Sequence, residues 1–371
     1  MNPLKTIARE VLSRIDVQLD GSRAWDIQVK DDRFYTSTLL QGSLGLGESY
    51  MEGWWECADL EELIYKLITS GLEQKAQRLP GFVAFDWLAT TINQQTRPMS
   101  QRVIDRHYNM GNDLFGEFLG KYKNYSCGYF KDTDSLDVAQ KQKMDLVCRK
   151  LNLSPGDRVL DVGGGWGELA RHMASEYGAH VTSINISDEQ IRFAREHCQG
   201  TTVDIVKCDY RDVKGEYDKI AVIAMLTHVG YKNYRQFMEL MHRSLKPGGT
   251  MIIESVGGNA SLTHCEPWTN KYIFPGGMIP SIAQFGTAFE GLFVLEDLHN
   301  FGPSYVHTLR AWNQNFQAAW PKLRNKYGER TRRMFEYFFL VVAGAFRARD
   351  LQHWHLVLTK PGTPQPNCRL S

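Results

Sequence analysis

The sequence predicts an α/β protein, a Rossmann-like domain preceded by a smaller N-terminal α+β domain, and three observations predict it. First, the short apolar run Val159-Leu160-Asp161-Val162 enters Gly163-Gly164-Gly165-Trp166-Gly167 and then a helical stretch to about 177. Second, strand and helix patterns alternate from there past residue 250. Third, no Lys-Ser pair closes the glycine turn, so it is not a phosphate-gripping loop of the Walker kind. Glycines at 163, 165 and 167 let the backbone turn tightly and approach a ligand. The helix that follows points its first N–H groups into the same space.

Taken in order, residues 3–15 read as a helix with Leu4, Ile7, Ala8, Val11, Leu12 and Ile15 on one face. Strand-like pieces follow at 25–29 and 33–39. The glycine and aromatic mixture from Gly42 to Trp55 leads into a helix at 59–70. Trp54 and Trp55 read as core, with a lipid-facing role as the alternative. Residues 71–103 are a polar connection with Lys75, Arg78, Arg97 and Arg102 scattered among apolar Phe82, Phe85, Trp87 and Leu88. A solvated linker and an interfacial face both fit that mixture. The domain boundary is set near residue 100, giving a domain and linker at 1–100 and a second domain at 101–371.

The second domain opens with His107 to Phe115 and with Tyr125-Ser126-Cys127-Gly128-Tyr129-Phe130. A helix is predicted at 136–151, and strands at 158–162, 179–185, about 203–207, 218–225, 250–256, 292–296 and 354–359. The second of these strands enters a helix capped by Ser187, with Gln190 three residues on as in a capping box. A helix at 233–245 ends in the turn Lys246-Pro247-Gly248-Gly249. Residues 257–280 read as a long loop, a candidate lid. Helices at about 306–324 and 329–347 precede the last strand.

Composition bounds the function. Hydrophobic residues make up 43% and charged ones 23%, as in an ordinary globular protein. A net charge of +1 argues against nucleic-acid binding through bulk charge. The seven cysteines (57, 127, 148, 198, 208, 265 and 368) are odd in number and contain no CxxC pair. They read as free thiols in a reducing cytosol. No signal-length apolar run opens the chain, and nothing approaches a membrane span. A cytoplasmic protein whose membrane contact is peripheral is predicted.

In an open parallel sheet the ligand sits beyond the carboxyl ends of the strands, where strand order reverses. That place is lined here by Asp161 and the turn Gly163, Gly164 and Gly165, by Asn185 and Ser187 after the second strand, and by Asp209 and Tyr210 after the third. A dinucleotide fold would end its second strand with an acidic residue for the ribose; Ile184-Asn185-Ile186-Ser187 is neutral. Asp209 can accept from an adenine amino group. The turn also lacks the later glycine that packs a helix against a pyrophosphate. S-adenosylmethionine is favoured over NAD. His107 and His228 have no cysteine or carboxylate at ligand spacing, so no metal site is assigned.

The same residues carry a family resemblance over nearly the whole chain. Residues 42–51, His107 to Phe115, Tyr125-Ser126-Cys127, Leu160 to Gly167, and His228-Val229-Gly230 with Lys232-Asn233-Tyr234 all take part. So do Trp268 with Asn270 to Pro275, Asn300-Phe301-Gly302, Tyr305, and Gly344 to Asp350. In these motifs the chain resembles the cyclopropane-fatty-acyl-phospholipid synthases. The resemblance implies a class I methyltransferase domain, an N-terminal lipid-engaging domain, and a homodimer acting on unsaturated acyl lipid at the membrane surface. It adds Tyr125, Ser126 and Gln190 to the cofactor-holding residues.

The resemblance also implies a reaction. A cis alkene attacks the sulfonium methyl, and the acyl cation closes to a cyclopropane by losing a proton from the added methyl. The base in such enzymes is a bicarbonate held by a glutamate, a histidine, a tyrosine and the backbone beside a cysteine. Cys127 and Tyr305 stand at the matching cysteine and tyrosine positions, but the glutamate position holds Thr227 and the histidine position holds Glu254. A further cysteine of the family is Val342 here. Bicarbonate is therefore in doubt. In one reading Glu254 is itself the base, held by Tyr305, Thr227 and His228, with desolvation raising its basicity. In a second the base is lost and the product is a methyl-branched or methylene chain. In a third Glu254 pairs with a nearby Lys or Arg. A catalytically dead lipid-binding relative is the rival of another class.

Overall fold

The computed structural model describes residues 3–71 and 111–370. The described residues form two compact units that are not consecutive along the chain. The first takes residues 3–71 together with His264–Pro275 and Val306–Leu351; the second takes the remainder. The boundary expected near residue 100, the interfacial mixture around Phe82 to Arg102, and His107 lie outside the described residues.

In the first unit the helices Pro3–Ser13, Arg33–Gln41, Ser43–Met51 and Leu60–Thr69 accompany a two-stranded antiparallel sheet of β1 (Gln28–Val29) and β2 (Trp55–Glu56). Residues 33–39, expected to be extended, are helical. Phe34 and Tyr35 are buried there, with Phe34 packed 6.0 Å from Trp55, and this burial outweighs the local β propensity. The helix stops at Gly42, whose φ of 57° suits a residue without Cβ. The tryptophan pair divides: Trp55 is fully buried, and Trp54 lies beneath the Arg33 guanidinium at 4.4 Å.

The stretch 257–280, expected to be a loop, contains the helix Pro267–Tyr272, capped by Glu266. Trp268 is 2% exposed and packs 4.7 Å from Tyr337, so this part is anchored in the core of the first unit. The two late helices follow one another within Gly302–Arg347 and are separated by a kink at Gly328, where φ is 72° and ψ 161°.

The second unit is built on a seven-stranded sheet: β3 (Arg158–Val162), β4 (His180–Asn185), β5 (Val203–Lys207), β6 (Tyr217–Ile223), β7 (Leu245–Gly258), β8 (Val294–Asn300) and β9 (Leu351–Thr359). Their order is β5-β4-β3-β6-β7-β9-β8. β3 to β7 pair in parallel, and β8 pairs antiparallel with β9. Alternate residues serve opposite faces. Leu160, Val162, Ile220 and Ile253 join Phe237 and Met241 on one side, whereas Val159, Ala221 and Ile252 join Val147, Leu151 and Met173 on the other. The helix Ile282–Phe289, missed in the sequence, has a full capping box from Ser281 and Gln284. The seven cysteines form no disulfide.

Chain order reverses between β3, flanked by β4, and β6. The crevice beyond the strand ends therefore opens above the Gly163 turn.

Candidate functional site

The nucleoside half of the site starts at the end of β3. Asp161 is 2% exposed, and burial pushes its carboxyl up to about 6 even though Ser183 Oγ donates to Oδ2 at 2.8 Å. Gly163 turns the chain with φ 84°, its N–H donating to the Ile184 carbonyl at 2.9 Å. Gly164 has no room for a side chain: a Cβ would lie 1.8 Å from Ser183 Oγ. At Gly165 a Cβ would meet nothing within 4 Å, so the crevice is open beside the turn.

The end of β4 is tied to this turn by Asn185. Its Nδ2 donates to the Gly165 carbonyl at 3.2 Å and to Gln190 Oε1 at 2.9 Å, while its Oδ1 accepts from the N–H groups of Ile186 and Ser187. The Ser187 hydroxyl caps the helix Asp188–His197 by accepting from the Gln190 N–H. The Gln190 side chain turns to Asn185, because Asn185 Oδ1 already holds the Ser187 N–H that a capping box would use. Asn185, Ser187 and Gln190 thus form one brace behind the loop.

After β5, both oxygens of Asp209 accept from Arg211, and the same carboxylate caps a short turn at Tyr210–Asp212. Tyr210 is 7% exposed and sits edge-on to Phe237 at 5.2 Å in the core. That placement assigns it to packing. Tyr125 lies edge-on to Phe115 at 5.3 Å, and Phe115 is 5.8 Å from Trp166 of the glycine turn. Phe115 is fully buried, so these rings form one aromatic cluster beside the glycine turn.

The other half of the candidate site contains a connected buried network. Ser126 is 4% exposed; its carbonyl accepts from Gln140 Nε2 at 2.8 Å and its hydroxyl from Lys143 Nζ at 2.6 Å. Lys143 also faces Glu254 on β7, with Nζ 3.8 Å from Oε2. The same Oε2 lies 2.9 Å from His355 Nε2, and Oε1 lies 3.4 Å from His353 Nε2, both histidines being on β9. The ring of Tyr305 meets His353 edge-on at 5.1 Å. Cys127, beside Ser126, is fully buried.

Two expectations change here. Burial alone would raise the Glu254 carboxyl, as the sequence suggested, but Lys143, His353 and His355 outweigh it and hold the group well below its ordinary value. The partners differ as well. Glu254 is held by Lys143 and the two histidines, so the pairing with a nearby lysine is part of what the structure contains. Thr227 Oγ1 instead donates to the Ala224 carbonyl at 3.5 Å, and Ala224 N–H donates to the Glu254 backbone carbonyl. His228 lies in the short turn Leu226–His228, where desolvation pushes its imidazole down to about 4.

Lys143, His353 and His355 escaped the sequence reading, although each left a trace. Lys143 interrupts the buried stripe Ala139, Leu146, Val147 and Lys150 of the helix Leu136–Lys150, and a lysine in such a stripe requires a buried partner. His353 and His355 stand two apart on a strand and so share one face.

The open space at Gly165, with the brace behind it, fits a nucleoside carrying an amino-acid tail. A bicarbonate does not fit the other half. Of the four holders the resemblance implies for it, the glutamate position is Thr227 and the histidine position is Glu254, a buried carboxylate already engaged by Lys143 and His355. No group of three or more histidine, cysteine, aspartate or glutamate side chains among the described residues is arranged to hold a metal ion.

Comparison with known proteins identifies the family. The family model described as mycolic acid cyclopropane synthetase matches residues 94–356. The cyclopropane-fatty-acyl-phospholipid synthase of Escherichia coli (strain K12) is 44% identical over 361 residues, covering 95% of this chain and 93% of that protein. The tuberculostearic acid methyltransferase UfaA1 of Mycobacterium tuberculosis is 31% identical, covering 87% of this chain and 80% of its own. Among solved structures, the mycolic acid cyclopropane synthase CmaA1 complexed with SAH and CTAB superposes with a TM-score of 0.67 at 25% identity, covering 72% of this chain and 100% of that one. The chain therefore belongs to the mycolic acid cyclopropane synthetase family and is an S-adenosylmethionine-dependent methyltransferase of the class I, Rossmann-like fold.

Proposed function

We propose that the enzyme adds a methylene bridge to the cis double bond of an unsaturated acyl chain in a phospholipid. The observation that carries this reading is the end-to-end match, at 44% identity, to the E. coli cyclopropane-fatty-acyl-phospholipid synthase. The family match at 94–356 alone would fit methyl-transferring relatives equally well.

Bound S-adenosylmethionine supplies an electrophilic methyl group. In this reading the Gly163–Gly165 turn and the Asn185–Gln190 brace orient it, with Asp161 and Asp209 at the strand ends as candidate polar contacts. The aromatic rings of Tyr125, Phe115 and Trp166 keep water from the reacting carbon. Tyr305 and Phe301 offer electron-rich faces to a cation on the acyl chain. In this reading Glu254 contributes a negative charge at the position the family gives to a bicarbonate-holding histidine, with Cys127, Thr227 and His228 as further candidates.

No described helix is long and apolar enough to cross a membrane. Peripheral attachment to a membrane is supported by Leu40, which is 78% exposed beside a groove lined by Arg33, Trp54, Lys271 and Arg330. A homodimer is the assembly we expect at that surface.

A second reading has one observation in its favour. Thr227 leaves the implied glutamate position without a carboxylate, and a relative 31% identical is named a methyltransferase. Loss of ring closure would give methyl-branched or methylene chains. Lipid extracts of cells with and without the chain separate the readings: cyclopropane acyl chains support the first and branched chains the second. An unchanged lipid profile supports a dead lipid-binding relative.

A further inference from the structure

His353 is the histidine of this network in which both ring nitrogens, and not Nδ1 alone as in His355, fall short of a hydrogen bond. It is 1% exposed, yet neither ring nitrogen has a hydrogen-bond partner among the described residues. An imidazole left this way costs about 1–3 kcal/mol per unsatisfied group, so a fold retains one where it has work to do. Its surroundings suit one task. Nε2 lies 3.4 Å from Glu254 Oε1, which itself lacks a hydrogen-bond partner. Phe301 meets the ring edge-on at 4.7 Å and Tyr305 at 5.1 Å. The other oxygen of Glu254 is already committed to His355 and Lys143, which fixes the carboxylate plane.

We propose that His353 is the proton acceptor of the cyclisation and that Glu254 is its positioning residue, the two forming a carboxylate–imidazole dyad in place of a diffusible base. The inference rests on the cyclopropane-forming reading above. With its hydrogen on Nε2, the ring faces the carboxylate and presents the Nδ1 lone pair. The alkene π pair forms the bond to the methyl carbon while the C–S pair returns to sulfur, leaving a cation on the neighbouring acyl carbon. A C–H bond of the added methyl then breaks. Its electron pair becomes the third ring bond, and the proton passes to Nδ1. The resulting imidazolium faces Glu254, so a neutral ring beside a carboxylate becomes an ion pair, which favours the transfer.

Glu254 is less suited to accept the proton itself. Its charge is stabilised by Lys143 and both histidines, and protonation would forfeit all three interactions. The set Glu254, His353 and His355 has the composition of a metal site. The Lys143 ammonium 3.8 Å from the same carboxylate opposes a cation there, and the geometry is not that of a metal-holding group.

The test uses the full-length enzyme with vesicles of a cis-unsaturated phosphatidylethanolamine and phosphatidylglycerol, with S-adenosylmethionine, in buffer scrubbed of carbon dioxide. Wild type is expected to turn over undiminished in scrubbed buffer. His353→Gln is expected to bind S-adenosylmethionine as wild type does, by calorimetry, and to form ring product about 10²-fold more slowly or worse. The remaining product should shift toward uncyclised methyl-branched or olefinic chains, because the cation forms without its base. Added imidazole should restore ring closure to His353→Ala. A merely structural histidine would move neither the product ratio nor the imidazole response. Ring formation by His353→Gln at the wild-type rate, or a wild type that needs added bicarbonate, overturns the inference while leaving the proposed function intact. A wild type that methylates no unsaturated chain defeats the proposed function itself.

Discussion

Lys143 Nζ lies 3.8 Å from Glu254 Oε2, and neither side chain is more than 1% exposed. The pair links the helix Leu136–Lys150 to β7 and carries the connection onward from Ser126 to β9. A buried pair is weak evidence for net stability, but breaking one partner leaves an uncompensated charge. Glu254→Gln is expected to destabilise the fold by about 3–5 kcal/mol in urea unfolding. The double variant Lys143→Met with Glu254→Gln is expected to recover part of that loss. A single variant as stable as wild type would show that the pair is not formed.

Acid should weaken the fold in two stages. Burial pushes His355 down from 6.5 to about 4, so between those values the unfolded chain binds a proton that the folded one refuses. Stability is then lost as pH falls below about 6.5, at about 1.4 kcal/mol per pH unit where the difference is one full proton. The Glu254 carboxyl lies well below 4.5, so its contribution is complete above that value and is lost only as pH falls further. Melting temperatures taken from pH 8 to 5 should decline below about 6.5, and His355→Phe should lessen the decline, the buried His228 carrying its own share. A wild-type curve level down to pH 5 would contradict this.

The glycine turn gives a contrast between neighbours. Gly164→Ala would place Cβ 1.8 Å from Ser183 Oγ and 2.5 Å from Asp161 Oδ2. It should cost about 1–3 kcal/mol through overpacking and lower S-adenosylmethionine affinity at least tenfold. Gly165→Ala has open space for its Cβ and pays only the left-handed strain of φ 55°, about 1–2 kcal/mol. Calorimetric titration of both variants checks the order, and equal affinities would refute it.

The sheet and the glycine turn were readable because they rest on local pattern. Apolar runs near five residues long, the glycine turn after Val162 and the Ser187 cap all act within a few residues of themselves. Three of the seven strands in the sheet, β3, β4 and β5, were placed within one residue at each end. The segment 33–39 failed for the opposite reason: burial against Trp55, some twenty residues on, decides it. The helix Pro267–Tyr272 was hidden likewise, because Trp268 is ordered by Tyr337. At the site, the exchange that placed Glu254 on β7 was visible, and its partners were not. Lys143 and His355 lie more than a hundred residues from one another along the chain, and only sheet order brings them to one carboxylate.

Arg333 closes the first unit from within. It is 7% exposed, and its guanidinium donates to the carbonyls of Tyr50 and Trp55 and to Glu56 Oε1. Arg333→Ala removes a donor from the Trp55 carbonyl and leaves the Tyr50 carbonyl with the Gly53 N–H alone, so a loss of about 1–3 kcal/mol is expected in thermal or urea unfolding. Arg333→Lys should recover little, since an ammonium cannot reach three acceptors in a plane. Full recovery by lysine would show that charge alone matters there.

The most direct measurement is product analysis with the purified enzyme, cis-unsaturated phospholipid vesicles and S-adenosylmethionine carrying a 13C-labelled methyl group. The account predicts labelled carbon in a cyclopropane methylene, seen as upfield NMR signals and an acyl mass raised by one labelled CH2. Label found only in a methyl branch or an exocyclic methylene, or no labelled lipid at all, would contradict it.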